Sequence, residues 1–425
     1  MILAATVLII ALALYALLRE VDVRLVLFLA GLALASLALK PLVIFDTFLA
    51  EMGNGKTIGP ICSAMGFAWV LRATGCDRAM VRLLLAPTRW MRGLLIPLGC
   101  IVGFITNTAI TSQTASAAAV GPILVPLLLA AGYSPVVAAA TRVRGCSGGG
   151  SLLNPGDADL VAIHESSQAP MSQALAAMVA PLASGFAAAV LLFSLFSRRA
   201  TVAPENAAAI EQQPIEWHKA LLPPIPILLI FLMLPGVFFS SLPAPFEKGL
   251  PVSHAMIVGT IIVLLVHGKD FSQQVKSFFE GMGYGYMNVI SLIVTSSCFI
   301  AGMTATGLTD SLVQLVSGTG AGGKIASGVF PGALGVISGS GIGPSVAFAK
   351  AVLPPLKDNM PLALDLGSLA AIAASFGRTM SPVAAVVIFS ATLTGVSTWK
   401  VIRRIAPVLI PAYVVVLAVV IARGH

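Results

Sequence analysis

The chain has 425 residues, of which 57% are hydrophobic and only 10% charged. A mean hydropathy of +0.97 excludes a soluble domain of this length, which needs a charged surface that is absent here. The formal charge of +8 does not signal nucleic acid, because most Lys and Arg residues flank apolar runs.

The first apolar run, residues 2–18, has no basic stretch before it and no small-residue cleavage site before Arg19, Glu20, Asp22 and Arg24. It reads as a retained helix and not as a signal peptide. Simple spans are predicted near 25–44 and 57–73, and an Arg-rich connector follows at 74–92. Segment 93–131 has a polar, small-residue centre and reads as a re-entrant hairpin. Segment 135–165 is long and interrupted by Gly, Pro and charge, and a simple span at 171–196 follows it. The polar connector 198–219 then divides the chain nearly in half. Beyond it come spans near 221–241, 252–266 and 284–303, a second hairpin at 325–356, a second broken span at 364–395 and a last span at 404–422.

The halves resemble each other. Ala73-Thr74-Gly75 with Asp77 answers to Ala305-Thr306-Gly307 with Asp310, and Val125-Pro126-Leu127 to Leu353-Pro354-Pro355. Gly150 and Asn154-Pro155 answer to Gly377 and Ser381-Pro382, at a spacing of roughly 230 residues and in the same order. The fold expected is therefore all-α and polytopic, with two repeats, 1–197 and 220–425, joined by a cytoplasmic linker. Each repeat has five crossings plus one hairpin, and an odd number of crossings makes the second copy inverted. Arg78, Arg82, Arg89 and Arg92 place 74–92 in the cytoplasm, which puts both termini outside.

The hairpins turn at the polar stretch 106–114 and at 338–345, and in the latter Gly and Pro interrupt the helix. Non-helical backbone at membrane depth survives only where it is buried or lines a polar cavity. There, half-helix N-termini aim N–H groups at an anion, and freed carbonyls and hydroxyls suit a small cation such as Na⁺. The alternative is that small residues only let helices pack closely.

Candidate substrate ligands are Thr111, Ser112, Gln113 and Thr114 at the first tip and Ser338, Gly339, Ser340 and Gly341 at the second. Asn154, Arg378, Thr379 and Ser381 join them from the broken spans. A mid-bilayer charge costs at least about 2.5–3.5 kcal/mol on insertion scales, so Arg378 should face a cavity or a partner. Its guanidinium fork suits a carboxylate. Arg142, Arg144, Asp157 and Asp159 are accessory or coupling candidates, and the two carboxylates equally suit neutralising the two arginines. The five cysteines are scattered without a CxxC pair, and no metal site or cofactor is expected beyond a coupling Na⁺ or H⁺. Gly55-Lys56-Thr57 lacks the earlier Gly of a phosphate loop, and Gly339/Gly341/Gly343 lacks the strand of a dinucleotide site.

At these residues the chain resembles the DcuC-type anaerobic four-carbon dicarboxylate carriers of the ion-transporter superfamily. The resemblance is carried by Gly377-Arg378-Thr379-Met380-Ser381-Pro382-Val383 through Val401-Ile402-Arg403-Arg404 to Pro407-Val408-Leu409. Ser338-Gly339-Ser340-Gly341 with Pro344 and Ala347-Phe348 supports it, as do Gly66-Phe67-Ala68, Gly75, Asp77, Pro155 and Asp159. It implies an elevator-type exchanger or uniporter for fumarate, succinate or a relative, with scaffold and transport domains, in a homodimer in the bacterial inner membrane. Arg142, Arg144, Gln113 and Thr114 depart from the family pattern. The spans 2–44, 171–196, 221–266 and 404–422 have few polar centres and are expected to form the static scaffold. Another organic anion on the same scaffold is the alternative cargo. An ion channel does not need two closed tips, and a membrane enzyme needs a nucleophile, base or metal set that His164 and the scattered Cys do not form.

Overall fold

Backbone groups in lipid need internal partners, so an apolar chain of this kind must form helices or a closed barrel. In the computed structural model, every regular element among the described residues is helical; these are 2–19, 21–86, 94–197, 216–233, 250–308, 321–382 and 384–424. Most of the expected linker 198–219 and the second half of the expected span 221–241 lie outside the described residues, as do Arg89, Arg92, Asp310 and Val383.

Helices α1 (Ile2–Leu18), α2 (Val23–Leu37), α3 (Leu42–Met52) and α4 (Gly55–Thr74) precede the short α5 (Cys76–Leu85). α6 (Leu95–Ala109) and α7 (Gln113–Ala130) form the first hairpin. α8 (Pro135–Cys146) and α9 (Ala158–Ser167) are the halves of the first broken span, and α10 (Met171–Ser197) follows. After α11 (Trp217–Ala220), α12 (Ile225–Leu232) and α13 (Val252–His267), helices α14 (Phe271–Gly285) and α15 (Ser291–Ala305) run as one span. The second hairpin is α16 (Ala321–Ser338) with α17 (Ile342–Val352), and the second broken span is α18 (Met360–Thr379) with α19 (Ala385–Thr394). α20 (Thr398–Ile421) ends the fold. The helix breaks at 110–112, 147–157, 339–341 and 380–382 thus fall where the sequence interrupts its apolar runs. Four of the described helices are long and apolar enough to cross a bilayer alone: α10, α14–α15, α18 and α20.

Two expected spans differ. The one at 25–44 is split, because Leu39 turns at φ 58° and Pro41, which has no N–H to donate, caps α3. The one at 284–303 begins earlier, at Phe271, as a helix. Lys276 and Glu280 sit on its exposed side, while Gln274, Ser277, Gly281 and Gly285 are buried, with both glycines against α4.

The helices pack in two groups. In one, α4 lies against α13 and α14, while α15 lies against α2 and α3. In the other, the hairpins pack on the broken spans, and α10 and α20 pack on each other and on those spans. The spans at 171–196 and 404–422, expected to share a scaffold with 2–44 and 221–266, bury their apolar faces against each other and against α8, α9 and α18. Equivalent contacts recur in the two halves. Gly103 meets Gly145 where α6 crosses α8, and Gly332 meets Gly377 where α16 crosses α18, so closely that a Cβ on Gly103 or Gly377 would collide with the facing backbone. Gly75 and Gly307 close α4 and α15 with φ of 74° and 75°.

Candidate functional site

The first tip passes from α6 to α7 through Ile110–Ser112. Ser112 caps α7 by accepting from Ala115 N at 3.3 Å, and Asn107 Nδ2 and Ser116 Oγ both donate to Ile110 O. The second tip turns at Gly339, φ 67°, with Ser338 Oγ accepting from Ser340 N at 3.2 Å. Polar side chains therefore hold both turns where helical bonding stops.

Between the tips lies a cavity of about 180 Å³. Four helices begin on its wall: α7 with Gln113 and Thr114, α9 with Ala158, α17 with Ile342 and α19 with Ala385 and Val386. Each N-terminus brings the positive end of its dipole to the wall. Arg378, from the last turn of α18, is the only cation among the described lining residues, and Asp157 the only carboxylate.

Arg378 is 6% exposed. Its Nη2 donates to Ser375 Oγ at 3.1 Å, and the Gln113 amide oxygen, turned toward it, accepts from Nη1 at 3.1 Å and Nη2 at 3.3 Å. Gly341 permits this position, since a Cβ there would stand 3.0 Å from Nη1. Behind the guanidinium are the buried Asp159 and Asp157, the carboxylates that attract it. Asp157 caps α9 by accepting from Asp159 N at 3.1 Å.

Of the residues singled out from sequence, Thr111–Thr114, Gly339–Gly341, Asp157 and Arg378 line this cavity. Others hold its walls. Asn154 Nδ2 donates to Thr108 O at 2.8 Å, pinning the first break to the hairpin. Thr379 Oγ1 is 2.7 Å from Ser147 Oγ and donates to Ser147 O at 2.8 Å, so the two breaks are tied together at residues 232 apart in sequence. Ser381 N donates to Arg378 O at 3.0 Å, and the Ser338 side chain is bonded to Leu334 O.

Arg142 and Arg144 do not line the cavity. Both are wholly buried; Arg142 Nε donates to Ala117 O at 2.8 Å and its guanidinium stacks over Phe389 at 4.4 Å. Arg144 lies over Phe186 and Phe376, at 4.9 and 5.5 Å. Aromatic faces are their neighbours, not Asp157 and Asp159.

The far wall consists of Ile61 and Met65 of α4 with Tyr284, Asn288, Val289 and Leu292. Sequence reasoning passed over Tyr284 and Asn288; the only signal was an Asn within an apolar run.

Three kinds of similarity accompany this geometry. Residues 46–425 match the model of the DcuC family, C4-dicarboxylate anaerobic carriers. The chain is 24% identical over 386 residues to the anaerobic C4-dicarboxylate transporter DcuC of Escherichia coli K12, covering 86% of this chain and 81% of that one. An uncharacterized transporter of Haemophilus influenzae is 31% identical over 193 residues, 45% of this chain and 68% of its own. Among solved structures, the YdaH transporter of Alcanivorax borkumensis superposes with a TM-score of 0.63 at 18% identity, covering 89% of this chain and 87% of that one. MtrF of Neisseria gonorrhoeae, described as one of a class of antimetabolite efflux pumps, gives 0.63 at 14% identity over 90% and 84%. At those identities the likeness is one of fold.

Proposed function

The chain belongs to the DcuC family of C4-dicarboxylate anaerobic carriers, and we propose that its own cargo is a small dicarboxylate of the fumarate and succinate type, moved across the bacterial inner membrane. The observation that carries this reading is the convergence of four helix N-termini and Arg378 on one cavity, which offsets the desolvation of a bound anion.

Transport is secondary, by exchange or coupled to H⁺ or Na⁺. Asp157 and Asp159, buried beside Arg378, are the groups suited to carry the proton or help hold Na⁺. The two halves are inverted repeats, a reading supported by the matched glycine contacts and helix breaks. The hairpins, the broken spans, α10 and α20 form the moving unit of an elevator. The other group forms the scaffold, through which two copies make a homodimer. The cavity lies between the groups, as such a mechanism requires.

The test is uptake of labelled fumarate and succinate by the protein in proteoliposomes, with a pH gradient, a Na⁺ gradient or internal dicarboxylate imposed in turn. Saturable uptake driven by one of these is expected. No uptake under any of them refutes the reading. If Asp157 or Asp159 carries the proton, Asp157→Asn or Asp159→Asn abolishes the response to a pH gradient while exchange persists.

A further inference from the structure

The two walls of the cavity differ in chemistry. One holds the tips, the helix N-termini and Arg378; in the other, Tyr284 and Asn288 are the only polar lining residues among those described. That second wall is not regular α-helix, because Tyr286–Ile290 forms a π turn between α14 and α15. A π turn inserts a residue into the ladder and disturbs its carbonyl pairing; such turns are frequent at functional sites.

Here side chains add bonds to the carbonyls around the turn. Asn288 Nδ2 donates to Tyr284 O at 2.9 Å, and Ser291 Oγ donates to Met287 O at 2.5 Å. Arg24 Nη1, from α2, donates to the same Met287 carbonyl at 3.2 Å, and Tyr286 Oη donates to Met52 O at 3.1 Å. The turn is thus held from α2 and α3, and it sets Asn288 on the wall across from Arg378.

We propose that Asn288 is a specificity-determining residue that recognises a hydroxyl on the carbon chain of the bound diacid. One of its amide hydrogens is engaged by Tyr284 O; the carboxamide oxygen and the second N–H remain. An acceptor beside a donor matches a hydroxyl, which both gives and takes a hydrogen bond. A carboxylate on that side meets no cation, because Arg378 belongs to the other wall. The site therefore favours a 2-hydroxy four-carbon diacid such as malate over unsubstituted succinate. The inference rests on the carrier reading above and deepens it.

Uptake into proteoliposomes gives KM for malate and for succinate in wild type and Asn288→Ala. Loss of neutral hydrogen bonds should raise the malate KM about 3- to 10-fold and leave succinate within about twofold. Circular dichroism and elution volume are the folding controls for the variant. In a second measurement, Asn288→Cys is labelled with a maleimide, against native cysteines that are all buried. Both diacids should protect it, malate no longer at lower concentration than succinate, because the amide that meets the hydroxyl is gone. Equal shifts for both substrates, no shift, loss of succinate transport in Asn288→Ala, or absence of protection each overturns the proposal while the carrier reading stands. A wild-type protein that takes up no diacid overturns both.

Discussion

Arg378→Lys separates charge from geometry at the cavity. The guanidinium is 6% exposed, bonded to Ser375 and Gln113, and seated against Gly341. Lysine keeps a positive charge beside Asp157 and Asp159, so the buried carboxylates are not abandoned, but it loses the fork that holds a carboxylate through two parallel bonds. One charge-assisted hydrogen bond contributes about 1.5–3 kcal/mol, so losing the bidentate arrangement should raise KM about tenfold or more. Arg378→Ala also leaves a buried anion without its cation, and about 2–5 kcal/mol corresponds to a loss of roughly 30- to 4000-fold in apparent affinity. The assay is initial-rate uptake of fumarate and succinate into proteoliposomes, with circular dichroism and elution volume as folding controls. Near-wild-type uptake by well-folded Arg378→Ala protein would remove Arg378 from the site and leave the helix N-termini as the anion-binding groups.

Lys350 of the second hairpin reaches Glu51 of α3 at 2.6 Å and Ser297 of α15 at 2.8 Å, a bridge between the two helix groups. If the groups slide, this bridge must break: Lys350→Met should shift the cysteine accessibility of the tips several-fold, and adding Glu51→Gln should change little more; additive effects would rule out the coupling. Asp365 binds Lys324 at 3.3 Å and Arg423 at 2.8 Å, joining α16, α18 and the end of α20. Asp365→Asn should destabilise the protein by about 3–5 kcal/mol, read as a large fall in thermal unfolding temperature in detergent, and an unchanged temperature would show that the cluster is solvated. Maleimide labelling of single cysteines should find 198–219 cytoplasmic and both termini periplasmic; access to position 425 only from the cytoplasm would disprove the five-plus-five arrangement.

Much of this molecule could be read from its residues in order. Apolar run length depends on local composition alone, so the membrane class and most helices were legible. So were the hairpin turns and broken spans, since Gly, Pro and polar clusters interrupt helices locally at Ile110–Ser112, Ser147–Asp157, Gly339–Gly341 and Met380–Pro382. That the tips and Arg378 would line a cavity was legible for the same reason: a polar group in an apolar run needs a reason to be there. What a polar group faces is another matter, because that depends on helix rotation and on neighbours far away in the chain. Arg142 and Arg144 are as charged as Arg378, yet α8 turns them onto Phe389, Phe186 and Phe376. The spans α10 and α20 have the composition of a scaffold but pack on the broken spans, since apolar stripes of similar character fit either partner. Asn288 reaches the cavity from a π turn whose neighbouring carbonyls accept from its own side chain, from Ser291 and from Arg24 of α2. Only packing brings α2 to that turn, so the second wall of the site was decided by the tertiary structure.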